Sequence, residues 1–313
     1  MLNLEQKGFY KGVNLGGWFS QCDYSPEKMD SFITEQDFKI IYTWGVDHVR
    51  IPIDYNILER EDGFARIDNA IAMCEAYGLH TVLDLHKTEG FSFDNYAEHE
   101  TGFFENKIYQ ERFYNIWESF AKRYAKKSQQ VAFELLNEVT DACYLPVWNQ
   151  VADTCIKRIR KFAPDVLILV GSYENNSPET VEYLNPPYDD NIIYNMHCYE
   201  PLKFTHQGAY WTDKINPDER FCFEKSNITE NYFEQLFASA IAKAQKHHTV
   251  LYCGEYGVID RVNPKDMLKW FQVIHRVFET YKIGRCAWNY KALDFGLSDA
   301  RLNHVREEIL KNL

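Results

Sequence analysis

The sequence predicts an α/β protein folded as a single (β/α)8 TIM barrel. Three observations carry this. Eight short apolar runs recur along the chain, longer amphipathic segments separate them, and polar residues stand at the C-terminal ends of the runs. Runs dense in Val, Ile and Leu indicate strands buried on both faces. Such strands alternating with helices give a parallel sheet closed by crossovers.

In chain order the candidate strands are 12–16, 46–54, 80–87, 131–138, 165–171, 191–199, 249–257 and 284–290. Between them, Tyr109, Phe113, Ile116, Trp117, Phe120 and Tyr124 recur at helical spacing over 106–127, with Lys107, Arg112, Lys122 and Arg123 elsewhere on the wheel. Trp148, Val151, Cys155, Ile159 and Phe162 form a second stripe over 144–163. Ser31 is expected to cap a helix over 32–44, and Ser177-Pro178 to open a short one with Pro at its first position. "GVNLGGW" does not supply the GxGxxG of a dinucleotide fold, and no P-loop is present. Two strand-to-helix connections are long, 88–105 and 200–228. Loops of that kind build the functional face of a barrel.

The chain has 313 residues, within the range of one barrel, so 1–313 is expected to form one domain. A net charge of −12 argues against nucleic acid or an anionic membrane as partner. No apolar run reaches the length of a membrane helix. The start "MLNLEQKGFYKG" lacks a signal-peptide pattern, so the protein is expected either to stay inside or to have lost a leader. The eight cysteines form no CxxC pair, and Cys74, Cys155, Cys253 and Cys286 fall in apolar segments. They read as small buried residues, a pattern that leans towards a reducing compartment. Loop aromatics (Phe91, Phe93, Tyr96, Phe103, Phe104, Tyr210, Trp211) suit a ligand with flat apolar faces, although for any one of them loop packing is the favoured account.

The strand ends carry the chemistry. In order they present Asn14, Arg50 then Asp54, His86, Asn137-Glu138, His197 and Tyr199, Glu255, and Trp288. In a barrel these ends converge on one rim. Two glutamates from different strands facing one cleft meet the requirement of retaining glycoside hydrolysis, which needs a carboxyl pair about 5–5.5 Å apart. One must be held protonated and the other ionised. Arg50 and Tyr199 are candidates to hold one of them ionised. Asn137 suits a sugar 2-hydroxyl and Trp288 the face of a pyranose ring. Glu134, inside its strand, reads as an interior ion-pair partner of Arg50, and His48 as a structural histidine. His206 lies in a long loop where substrate contact and tethering are equally served.

These residues resemble glycoside hydrolase family 5, the cellulase-like retaining β-glycanases. The resemblance rests on "GVNLGGW", "DHVRIPIDY", "VLDLHK", "FELLNEV", "NMHCYEP", "YCGEYGV" and "AWNY", in order over nearly the whole chain. It implies a single catalytic barrel domain with Glu138 as acid/base and Glu255 as nucleophile. Arg50 and Tyr199 would support Glu255, His197 would lie near sugar and carboxylates, and His86, Asn137 and Trp288 would complete the substrate-binding set. Asn14, Lys87, His206 and Trp211 are further candidate substrate contacts. Lys87 is a departure, since the family often has a second His there. The resemblance implies no cofactor and no metal.

The expected partner is a β-glucan polysaccharide or oligosaccharide, and the expected state a monomer. The leading expectation is an endo-β-1,4-glucanase acting on cellulose-like or mixed-linkage glucan by double displacement. An exo-acting β-glucosidase or β-1,3-glucanase on the same scaffold stays open, and mannan is a further substrate. A metal-dependent barrel hydrolase using His86 and His197, and a catalytically dead sugar-binding barrel, are the alternatives from other classes.

Overall fold

The computed structural model describes residues 2–94 and 100–313, so Tyr96 lies outside the described residues. Eight parallel strands form the barrel: β1 (Lys11–Asn14), β2 (His48–Asp54), β3 (His80–Thr88), β4 (Val131–Glu134), β5 (Ile168–Gly171), β6 (Ile192–Cys198), β7 (Leu251–Tyr256) and β8 (Gly284–Ala287). Each pairs with its neighbour in sequence, and β8 returns to β1 through Lys11↔Arg285, which closes the sheet. A two-residue strand, Phe91–Ser92, folds back antiparallel on the end of β3.

Side chains two apart on a strand share a face. That rule sorts the barrel interior into two levels. Val82, Ala132, Leu169, Ile193, Tyr252 and Cys286 pack together with Leu4 and Phe9 and fill the lower lumen. Each buried Val, Leu, Ile or Phe side chain of this set contributes about 1.5–3 kcal/mol. Two residues further along these strands, toward the rim, stand Asp84, Glu134, Gly171 and Asn195, and then His86 and His197. The same alternation that makes an apolar floor therefore delivers polar groups to the top.

The larger core lies between the strands and the outer helices α1 (Glu35–Thr43), α2 (Gly63–Ala76), α3 (Lys107–Tyr124), α4 (Leu145–Arg160), α5 (Glu230–Lys246) and α6 (Pro264–Tyr281). In α3 the stripe buries Phe113, Trp117, Phe120 and Tyr124, and in α4 Trp148, Val151, Cys155 and Ile159. Phe162 instead lies past the end of α4 and is exposed.

Two sequence expectations, the cap of α1 and the length of the fourth strand, need correction. Ser31 does not cap α1. It ends the preceding helix Pro26–Ser31, and Thr34 takes the cap, its backbone N–H and hydroxyl both donating to the Asp37 carboxylate at 2.8 and 2.9 Å. The short helix expected after Ser177 is present, with Pro178 at its start, and is a 3-10 helix, Pro178–Tyr183, so β5 has no long helix of its own. The fourth strand leaves the ladder after Glu134, four residues earlier than its apolar run suggests. Its continuation stays tied by Leu135 N–H to Leu169 O and Asn137 N–H to Leu85 O. Phe91, Phe103 and Phe104 are buried and pack on one another and on Phe113 and Tyr144, so these loop aromatics serve packing, the favoured account for each.

All eight cysteines are free thiols, and Cys74, Cys155, Cys198, Cys253 and Cys286 are buried. Among the described residues, no helix is long and apolar enough to cross a membrane.

Candidate active site

Arg50 is the hub of the rim. Its β2 position is fully buried, and its guanidinium forks onto Glu134, with Nε to Oε2 at 2.7 Å and Nη2 to Oε1 at 2.8 Å. Nη2 also reaches Asp84 at 3.0 Å and donates to Asn137 Oδ1 at 2.9 Å. Nη1 donates to Glu255 Oε1 at 2.7 Å and to Asn14 Oδ1 at 2.9 Å. Burial disfavours the cation, but the three carboxylates outweigh it and bind its proton more tightly than in an ordinary guanidinium. Glu134 is thus the interior partner its mid-strand position suggests.

Glu255, near the end of β7, has both oxygens engaged: Oε1 by Arg50 and Oε2 by the Tyr199 hydroxyl at 2.9 Å. Glu138 lies where the chain has left β4, at φ 43° in the left-handed region, which turns its side chain out of the strand alternation. His197 Nδ1 is 2.8 Å from its Oε1, and Asn175 donates to its Oε2 at 3.1 Å. One carboxyl oxygen of Glu138, one of Glu255 and a ring nitrogen of His197 all lie within 4.8 Å of one another.

The two acids sit in opposite environments. Burial pushes the Glu138 carboxyl up to about 7, and the lowering by Asn175, His86 and Arg50 only partly offsets this. Glu255 instead faces a guanidinium and a phenol. Burial also pushes His197 down to about 4, so its ring is neutral and bonds as a dipole. In His86, burial is outweighed by Asp84, whose Oδ2 is 2.7 Å from Nδ1, and by Glu255; its pKa rises to about 9 and the ring is a cation at neutral pH.

Among the described residues, His86 Nε2 and Asn137 Nδ2 have no protein partner, although both residues are buried. A buried donor of this kind costs roughly 1–3 kcal/mol unless something meets it, and sugar hydroxyls are suitable acceptors. The Trp288 ring lies nearly parallel to His86, 3° between planes at 5.9 Å. It occupies its place because Gly16 has no side chain: a Cβ there would stand 2.5 Å from the indole. "NLGGW" is thereby tied to "AWNY", and Asn289 fastens the two loops by accepting from Gly16 N–H and donating to Gly16 O, at 3.0 and 3.1 Å.

Comparison with known proteins bears directly on this arrangement. The sequence profile described as Cellulase (glycosyl hydrolase family 5) matches residues 5–294. The chain is 57% identical to Cellodextrinase A of Ruminococcus flavefaciens over 288 residues, covering 90% of this chain and 85% of that one. It is 35% identical to Endoglucanase C of Acetivibrio thermocellus over 338 residues, covering 97% and 98%.

The chain belongs to the cellulase family, glycosyl hydrolase family 5.

As a member it is a glycoside hydrolase of β-glucans. Its barrel superposes on the cellulose synthase subunit Z of Clostridioides difficile with a TM-score of 0.83 at 27% identity, covering 97% and 99% of the two chains. It also superposes on endoglucanase Cel5A of Thermotoga maritima with a TM-score of 0.81 at 23% identity, covering both chains fully. The second likeness concerns the fold.

Within this cellulase-family site, Arg50, Asn137, Glu138, His197, Tyr199 and Glu255 form one connected cluster, with His86 joined through Asp84 and Trp288 through His86. The four further candidates stand in different surroundings. Asn14 is fully buried, and its amide is spent on Arg50 and on the carbonyls of Gly254, Cys286 and Ala287, where it ties β1 to β7 and β8. His206 bonds Thr205 and packs edge-on against Tyr199 and against Phe295, so it buttresses the phenol that holds Glu255. Lys87 sits 5.7 Å from the rings of both Tyr24 and Tyr55. Trp211 is half exposed beside Tyr210 and Arg261.

The trio Glu138, His197 and Glu255 is spaced as a cation site could be. Its atoms are already matched, however, Glu255 to Arg50 and Tyr199 and His197 to Glu138, so a cation would have to displace a guanidinium. Sequence reasoning missed Asp84, Asn175 and Asn176. The signal for Asp84 was present: "DLH" puts Asp84 and His86 on one face of β3.

Proposed function

We propose that the protein is a retaining β-1,4-glucan hydrolase acting on cello-oligosaccharides and accessible glucan chains, with Glu255 as nucleophile and Glu138 as acid/base. The observation that carries the reading is the carboxyl pair from β4 and β7, within 4.8 Å at nearest atoms and held in unlike environments. Inverting sites separate the two groups by roughly 6.5–9.5 Å to admit a water. In the first step Glu255 forms an ester bond to the anomeric carbon while the Glu138 proton passes to the departing glycosidic oxygen. In the second, Glu138 takes a proton from water, whose oxygen replaces Glu255 at that carbon. Both displacements invert, so configuration is retained. In this reading Asn137 Nδ2, which lacks a protein partner among the described residues, meets the 2-hydroxyl, and Trp288 lies under the ring.

The cationic charges of Arg50 and His86 are outnumbered by Asp84, Glu134 and Glu255. That surplus of negative charge favours an oxocarbenium-like transition state.

The names of the relatives, cellodextrinase and endoglucanase, support short and internal β-1,4 bonds as substrates. Product analysis on cellotriose to cellohexaose, laminari-oligosaccharides and manno-oligosaccharides tests this. Cleavage at internal bonds of the cello series is expected, and release of glucose alone from one chain end would replace the endo reading by the exo one. Activity should also survive chelators.

The pH profile follows from Glu138. The glycosylation step needs its protonated form, so kcat/KM should fall as pH rises through about 7. Initial rates on cellotetraose between about pH 5 and about pH 9 check this. A plateau extending well past about pH 8 would contradict the assignment of Glu138 as the acid.

A further inference from the structure

Immediately after β5, Glu174, Asn175 and Asn176 take φ values of 53°, 57° and 57°. Three consecutive non-glycine residues in the left-handed region are costly, and such strain persists where surrounding contacts over-determine it. The contacts here are specific. Asn175 N–H donates to Val139 O at 3.1 Å, which ties the turn to the residue after Glu138. Asn175 Nδ2 donates to Glu138 Oε2 at 3.1 Å, and Asn176 Nδ2 is 3.3 Å from His197 Nε2. Room for the Asn176 amide exists because residue 171 is glycine: a Cβ there would lie 2.2 Å from Asn176 Oδ1. Glycine would serve the turn itself with less strain, so the shape alone does not account for two amides that each end on the acid/base or its histidine.

We propose that Asn175 and Asn176 are positioning residues for the acid/base: Asn176 donates to His197 Nε2 and so fixes the ring proton on Nδ1, aimed at Glu138, while Asn175 donates to the second oxygen of Glu138. The tautomer follows from electrostatics. His197 Nδ1 faces Glu138 Oε1 at 2.8 Å and Glu255 Oε2 at 3.7 Å. A bare lone pair toward two carboxyl oxygens is repulsive, whereas an N–H there is attractive. With the proton on Nδ1, Nε2 is an acceptor, and Asn176 supplies its donor. Glu138 then accepts one hydrogen bond on each oxygen, which favours the anion, while burial favours the acid. The balance suits a group that must give a proton in one step and take one in the next. The charged and titratable groups around it are His197 from β6, Glu255 from β7, Tyr199 after β6, Arg50 from β2, and Asp84 and His86 from β3.

The inference rests on Glu138 being the acid/base, and the test separates the two. Glycine tolerates the left-handed backbone, so Asn175→Gly and Asn176→Gly remove the amides while leaving the turn its shape. Each variant is assayed on cellotetraose, whose leaving group needs a proton, and on 2,4-dinitrophenyl β-cellobioside, whose leaving group does not. Glu138→Ala runs beside them as reference.

Asn176→Gly should lose about 10–100-fold in kcat/KM on cellotetraose and less than about threefold on the aryl glycoside. Asn175→Gly removes a donor to the anionic form, so the alkaline limb of its profile should move to higher pH by roughly half a unit or more. Equal losses on both substrates with an unmoved limb, while Glu138→Ala shows the split, overturn the positioning role alone. Absence of the split in Glu138→Ala itself overturns the acid/base assignment and this inference with it.

Discussion

Glu255→Ala should lower turnover of cello-oligosaccharides by on the order of 10⁵-fold while the protein stays folded. The carboxylate removed is the one that Arg50 and Tyr199 hold from both sides. No neighbouring group can replace it, because Glu134 and Asp84 are fully buried beneath and bound to Arg50. Azide should restore part of the rate by attacking from the vacated face, giving an α-configured glycosyl azide from a β-linked substrate. The analogous rescue of Glu138→Ala, on a substrate with a good leaving group, should give the β-azide, since azide then meets the covalent ester. NMR of the two products reads the assignment directly. A β-azide from Glu255→Ala would mean that the two roles are exchanged.

Arg50→Met should be the most destabilising single change in the barrel. It leaves Asp84 and Glu134, both fully buried, and the largely buried Glu255 without their shared cation. Removing one partner of a buried ion pair costs about 3–5 kcal/mol, and here one cation serves three carboxylates. A fall in Tm of roughly 10 °C or more is expected, together with loss of activity. Arg50→Lys should recover some stability and little activity, because an ammonium restores charge without the fork that reaches Glu134, Asn137 and Glu255 together. Thermal denaturation of both variants, with kcat on cellotetraose, distinguishes these effects. An unchanged Tm in Arg50→Met would refute the hub.

Much of this site could be read from sequence because barrel geometry makes position along a strand equivalent to height in the lumen. Apolar alternation locates each strand, and the polar residue at its end then has only one rim to occupy. Glu134 and Glu138 were separable for the same reason, one being mid-run and the other at its end. What resisted reading was backbone conformation. "LLNEV" has the same composition whether it continues the ladder or leaves it, so the early end of β4 and the left-handed φ of Glu138 carry no hydrophobic signature. "YENNSP" reads as an ordinary turn, since Asn and Ser suit many turns, and the strand-end residues drew attention away from it. Thr34 and Ser31 were equally good caps by type, and only the Asp37 carboxylate three residues on distinguished them. The loop aromatics allowed both a ligand and packing by composition, and Phe103 and Phe104 have their partners on α3 and beside α4, as the packing account has it.

The hub has a consequence for how the barrel is assembled. Arg50, His86, Asp84 and Glu134 all belong to the first four strands, so a half-barrel of β1–β4 carries its own compensated charge. Glu255 belongs to the second half, 205 residues from the cation that holds it. Until the halves meet, that carboxylate has no counter-ion and keeps its hydration shell. Closure of the barrel is therefore also the event that desolvates and pairs Glu255. A circular permutant opened between β4 and β5 would keep both halves intact, whereas one opened between β2 and β3 would divide the charge cluster itself.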